Sequence, residues 1–115
     1  MLEKQIEAAV CKYAESKGFL QYKFSSPAHF GVPDRIFFGD LGFVFLIEFK
    51  REGEKPTPAQ KREAGRLTNL NHRVYLIDNV EAGKEIIDAE FELLSQAQAV
   101  RAMVSLSMLD QEACH

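Results

Sequence analysis

The stretch FVFLIEFK, residues 43–50, constrains the fold more than any other part of the chain. Its aromatic and branched side chains favour β-structure. In a strand, Phe43, Phe45, Ile47 and Phe49 share one face and Val44, Leu46, Glu48 and Lys50 the other. A strand apolar on both faces belongs in the middle of a sheet. Glu and Lys are seldom buried there unless something pairs them.

The preceding residues suggest what that is. DRIFF, residues 34–38, and FVFLIEFK flank the turn signal GDLG, the pattern of a β-hairpin. With Gly39 paired to Phe43 across a three-residue loop, every cross-strand pair of positions adds up to 82, which sets Asp34 opposite Glu48. Opposed residues have Cα atoms about 4.5–5.5 Å apart, and like charges so placed destabilise a sheet. A divalent cation removes that penalty, because Mg²⁺ is held by one or two carboxylates together with waters and substrate phosphates. Lys50, one pleat beyond Glu48 on the same face, is placed to orient or deprotonate an attacking water or to stabilise a phosphorane-like transition state. A Glu-x-Lys pair alone reads as an ordinary ion pair at a strand end; the aspartate at hairpin distance makes it a candidate for metal-assisted phosphodiester hydrolysis.

Around the hairpin the pattern is mixed α/β. LEKQIEAAVCKYAESKG spaces Leu2, Ile6, Val10 and Tyr13 helically and ends on Gly18 as a cap. FLQYKF reads as a strand and SSPAHFGVP as a loop. Thr57 as N-cap, Pro58 at the first helical position and Gln60 at the third form a capping box. They open a helix with Ala64, Leu67 and Leu70 or Asn71 on its inner side. RVYLID predicts a short buried strand, which makes residues 43–77 a right-handed βαβ unit. VEAGKEIIDAEFELL predicts another helix, and the remaining segment is helix-compatible, with Val100, Met103, Val104 and Met108 as an apolar stripe.

At 115 residues this is one domain. No apolar run approaches the ~20 residues of a membrane span, and the charged N-terminus is not a signal peptide; a cytoplasmic, intracellular protein with no membrane partner is expected. Cys11 and Cys114 lack metal-ligand spacing and read as two reduced cysteines without a zinc role. The net charge of -3 hides a polarised chain. Residues 50–73 carry seven basic groups against three acidic ones, and residues 74–115 two against eight. The basic segment, with Arg51, Lys55, Lys61 and Arg62 directly after the Glu-x-Lys strand, suits phosphate binding. No helix-turn-helix, zinc finger or aromatic stacking platform reads bases, so DNA shape or backbone is the expected target.

Glu7 beside Ile6, YKF followed by SP, GVPDR, VFLIEFK, KPTPAQ and RVYLID, in that order, resemble the VRR-NUC domain of the PD-(D/E)XK nuclease superfamily. The resemblance covers about residues 1–90 and leaves 91–115 as a helical tail. It implies a restriction-endonuclease-like core and a Mg²⁺- or Mn²⁺-dependent deoxyribonuclease selective for DNA structure. It further implies Asp34, Glu48 and the Phe49 backbone carbonyl as metal ligands, Glu7 completing the metal and water site, Lys50 as the catalytic lysine, and Gln60 beside them. Stand-alone members resemble Holliday-junction resolvases in acting as homodimers, and isologous dimers are the commonest oligomers. A less selective duplex nuclease or nickase, or a non-catalytic DNA-binding module, are the other readings.

Each assignment has a plainer counterpart. Gln60 is already accounted for as a capping residue, and Glu7 as a solvated helix carboxylate. Lys23 either reaches a phosphate or guards an edge strand against aggregation. Arg35 points away from Asp34, toward either a salt bridge or DNA. His29 and His72 read as surface residues. The tail either forms the dimer interface or folds back on the core.

Overall fold

The computed structural model describes residues 1–113. Helix α1 (Glu3–Ser16) leads into β1 (Leu20–Lys23), β2 (Arg35–Phe38) and β3 (Val44–Phe49), with a 3-10 turn (Asp40–Gly42) between β2 and β3. Helix α2 (Pro58–Asn69), strand β4 (Arg73–Ile77) and helix α3 (Val80–Ala113) complete the chain. The four strands lie in the order β1-β2-β3-β4. The first three are antiparallel neighbours, and β4 runs parallel to β3.

The hairpin register is the one the turn dictates. Arg35 pairs with Ile47, Ile36 with Leu46 and Phe37 with Phe45, and the Gly39 N–H donates to Phe43 O at 2.8 Å. Leu41 adopts φ 56° and Gly42 φ 74° in the turn. One face of the sheet presents Phe37 and Phe45, stacked at 4.8 Å, with Phe19 edge-on to Phe45 at 5.3 Å. Against this face pack Ile6, Val10 and Ala14 of α1 and Ile87 and Leu94 of α3, all buried. The two helices approach closely because Gly83 has no side chain: a Cβ there would lie 2.4 Å from Val10 Cγ2. Charge also ties α3 to the sheet. Buried Glu90 accepts from Arg73 Nη2 at 2.8 Å and from the Tyr75 hydroxyl at 2.9 Å, and the Arg73 guanidinium lies over the Phe43 ring. Cys11 is a free, buried thiol whose pKa burial pushes up to about 11; Cys114 lies outside the described residues.

Three expectations change. Strand β4 is not buried: β3 occupies the middle of the sheet, leaving β4 at its edge with Leu76 47% exposed. Helix α2 lies over that edge, so Glu63 is its one buried residue and Leu70 faces solvent. Asn71 follows it in the left-handed conformation, φ 66°, which Asn tolerates. The third helix and the tail are one continuous helix of 34 residues. Its C-terminal half does not fold back, and Val100, Met103, Val104, Leu106, Met108 and Leu109 are each more than half exposed.

Candidate active site

The site forms where the β2–β3 pairing ends. Beyond Arg35 the ladder gives way to the Asp34 side chain, whose Oδ2 accepts from the Phe49 backbone N–H at 2.7 Å. The N–H and C=O of a strand residue leave on the same edge, so the Phe49 carbonyl faces Asp34 as well. Glu48 and Lys50 are both buried, at 7% and 5% exposure, on the face opposite the phenylalanine core.

Asp34 and Glu48 lie close enough to perturb one another. Burial raises the Asp34 carboxyl above its ordinary range against the pull of the Phe49 N–H. Burial first, and then the Asp34 charge, push Glu48 up to about 8, with Lys50 acting in the opposite direction. Glu48 Oε1 accepts from Gln60 Nε2 at 2.8 Å. Its Oε2 is buried without a partner, and such an acceptor is costly to leave unmade. Two adjacent carboxylates, one with a free buried oxygen, beside a main-chain carbonyl form a hard-oxygen donor set that fits Mg²⁺ or Mn²⁺. Among the described residues no third His, Cys, Asp or Glu joins them in a ligand cluster. Waters and substrate oxygens would complete the coordination, as is usual for Mg²⁺.

Gln60 holds two roles at once. Its Oε1 accepts from the Thr57 N–H at 2.8 Å, closing the capping box, while its Nε2 holds Glu48. The loop before Asp34 is locked to the same helix. Gly31 sits at φ +91°, and a Cβ there would meet the Ala59 carbonyl carbon at 2.5 Å and the Gln60 nitrogen at 2.7 Å. Pro33 is buried behind it. Gly31→Ala is expected to lose about 1–3 kcal/mol of stability in urea unfolding, through both the positive φ and the overlap with backbone. An unchanged midpoint would mean that the loop is not anchored to α2.

The remaining predicted residues divide. After burial, the Glu7 charge also raises the Asp34 pKa. The Glu7 carboxylate accepts from Arg35 Nε at 2.5 Å, and Arg35 also reaches Gln21 at 3.0 Å. Of the two readings of Arg35 the salt bridge is present, because Arg35 alternates with Asp34 onto the α1 face. One turn earlier, burial first and then the charges of Asp34 and Glu54 raise the Glu3 pKa, with Lys50 acting in the opposite direction. Glu3 is a second first-helix carboxylate near the site, one that reading the sequence missed. EKQIE offers two glutamates four residues apart on one helical face. Lys23, Arg51, Lys55, Lys61 and Arg62 are exposed. Lys50 Nζ has Glu54 at 3.7 Å as a distant ionic neighbour. His29 and His72 are exposed, as expected.

An antiparallel hairpin followed by a helix and a parallel strand, with an aspartate at the hairpin mouth and Glu-x-Lys on its second strand, defines a restriction-endonuclease-like α/β domain. No family model matches the chain. A solved VRR-NUC domain superposes with a TM-score of 0.70 at 25% identity, covering 75% of this chain and 94% of that one. The candidate nuclease p44 of Acyrthosiphon pisum secondary endosymbiont phage 1 is 42% identical over 77 residues, spanning 67% of this chain and 83% of the phage protein. The chain belongs to the VRR-NUC family.

Proposed function

We propose that this chain is a Mg²⁺- or Mn²⁺-dependent deoxyribonuclease that cuts branched DNA as a homodimer. The observation that carries the reading is the Asp34–Glu48 pair, closed at one end by Gln60, with the unpartnered Glu48 Oε2 buried beside it. Asp34, Glu48 and the Phe49 carbonyl would hold the ion. When bound, a divalent ion supplies Lewis-acid polarisation of the phosphodiester and a more acidic water.

The protein's own groups do the rest. The Phe49 N–H fixes Asp34, and the Gln60 amide turns one Glu48 oxygen away so that the other faces the reacting centre. Lys50, held on the same face, places an ammonium where charge develops on the phosphoryl oxygens and where an attacking water needs orienting. Exposed Lys55, Lys61 and Arg62, with Lys23 on β1 and Arg51 after β3, supply cations for the flanking phosphates. A degenerate, purely DNA-binding member of the fold would have no use for a buried carboxylate pair. The test is cleavage by purified protein of a four-way junction, a flap and a linear duplex at matched salt, with Mg²⁺ or Mn²⁺ and with EDTA. Cutting in EDTA, or equal cutting of all three substrates, would contradict this reading.

The homodimer is supported by α3. From Val100 to Leu109 the helix carries apolar side chains on every side and a single charge, Arg101. Its exposed apolar groups form a patch of the kind that marks an interaction surface, and a second copy offers the same surface in reverse. Met103→Glu combined with Leu106→Glu is expected to shift the mass seen by light scattering from dimer to monomer, with the circular dichroism of the core retained. A wild-type protein that is monomeric at micromolar concentration would rule the interface out.

A further inference from the structure

We propose that Phe30 is a stacking wedge that receives the exposed terminal base pair at a DNA branch point, and so sets the preference for branched over continuous duplex; the inference rests on the nuclease reading above. Phe30 is 80% exposed, whereas Phe19, Phe37, Phe45 and Phe49 are buried. A phenyl ring left in water forgoes the stabilisation that burial brings, and nothing in the fold of residues 1–113 makes use of it.

The backbone that carries the ring is nonetheless anchored on both sides. The next residue, Gly31, lies against the backbone of Ala59 and Gln60 so closely that no side chain fits. Two residues further on, Pro33 is buried, and one residue after that, Asp34 is fixed by the Phe49 N–H. On its other side, the His29 N–H donates to Ser26 O at 3.3 Å, closing a turn. Phe30 is therefore carried on the same anchored loop as the Asp34 carboxylate, one residue from the contact with Ala59 and Gln60 that directly precede Lys61 and Arg62 in α2. An aromatic ring next to cations that track a backbone is the combination that binds unpaired or end-exposed bases, and every base offers it a π-face.

Inside a continuous duplex each base pair is covered on both sides, so the ring can enter only by unstacking a step and kinking the helix. At a branch one face of the last pair is already open, and that cost is absent. Because stacking is indifferent to base identity, the device discriminates structure and not sequence.

The experiment compares wild type, Phe30→Ala and Phe30→Trp on a junction or flap and on a linear duplex of the same sequence, in Mg²⁺ or Mn²⁺. Phe30→Ala is expected to lower kcat/KM on branched DNA by about 10-fold, to change linear-duplex cleavage less than twofold, and to leave the thermal midpoint unmoved. Phe30→Trp is expected to restore the branched rate. A branched-to-linear ratio that survives Phe30→Ala overturns the proposal, as does a change confined to oligomer mass, which would make Phe30 an interface residue. Wild-type protein that cleaves no DNA at all defeats the nuclease reading and this one with it, whereas cleavage indifferent to Phe30 defeats this one alone.

Discussion

Asp34→Ala and Lys50→Ala are each expected to lower DNA cleavage by about 10³-fold or more, the scale on which single electrostatic groups at a reacting centre act. The two losses should differ in kind. Asp34 is one of two carboxylates that would hold the ion, so Asp34→Ala should also abolish Mn²⁺ binding measured by calorimetry. Lys50 contributes no oxygen ligand, so Lys50→Ala should bind Mn²⁺ at least as well as wild type and still fail to cut. Neither side chain belongs to the phenylalanine core. Cleavage that survives either change would remove the assignment of roles, and loss of metal binding in Lys50→Ala would mean that the lysine acts through the carboxylates.

The second large effect is on stability. Glu48 has a folded pKa of about 8 against an ordinary value of 4.5, and Asp34 is raised as well. Between those pH values the folded chain keeps a proton that the unfolded chain has released. Stability is therefore greatest below about pH 4.5 as far as this pair is concerned, and falls as pH rises toward 8. At about 1.4 kcal/mol per pKa unit, the rise of Glu48 from 4.5 to about 8 caps the loss at about 5 kcal/mol. The metal-free protein is expected to show it as a thermal midpoint that falls by several degrees or more across that window. Mg²⁺ should reverse it at pH 8 by binding the ionised pair in the folded state only. Asp34→Asn should flatten the pH profile, raise the midpoint at pH 8 and remove the response to Mg²⁺. A midpoint that climbs from pH 5 to 8 in EDTA would show that the two carboxylates do not destabilise one another.

Together the two tests describe one trade. The carboxylate charges that the fold tolerates worst are those its chemistry needs, so an Asp34 substitution that kills activity should stabilise the empty protein at pH 8.

Much of this arrangement was legible in the chain, and for identifiable reasons. A three-residue turn fixes hairpin register, and strand alternation has a period of two, so the positions of Asp34, Glu48 and Lys50 follow from counting. The capping box at Thr57 and Gln60 is equally local and appears as predicted. The surroundings of Glu7 and Glu3 were not local. Both lie on one face of α1, and Arg35 reaches across from β2 to pair with Glu7 while Glu3 feels Asp34 and Lys50. The second role of Gln60 also needed the fold, because a capping residue gives no sign of what its amide nitrogen faces. The exposure of Leu76 and Leu70 was hidden for the same reason: an apolar pattern marks a strand or helix without telling whether it lies at the centre or the edge of the sheet.

By itself, then, the amino-acid sequence determined what short-range geometry controls: the hairpin, its register, the facing carboxylates, the adjacent lysine and the cap of the following helix. The tertiary structure alone decided that Arg35 pairs with Glu7, that Gln60 grips Glu48, that Gly31 anchors the Asp34 loop to α2, and that α3 runs on as one helix with its apolar end exposed. Periodicity and turn chemistry act over a few residues, whereas these contacts join positions far apart in the chain, whose proximity exists only once the sheet and helices have packed.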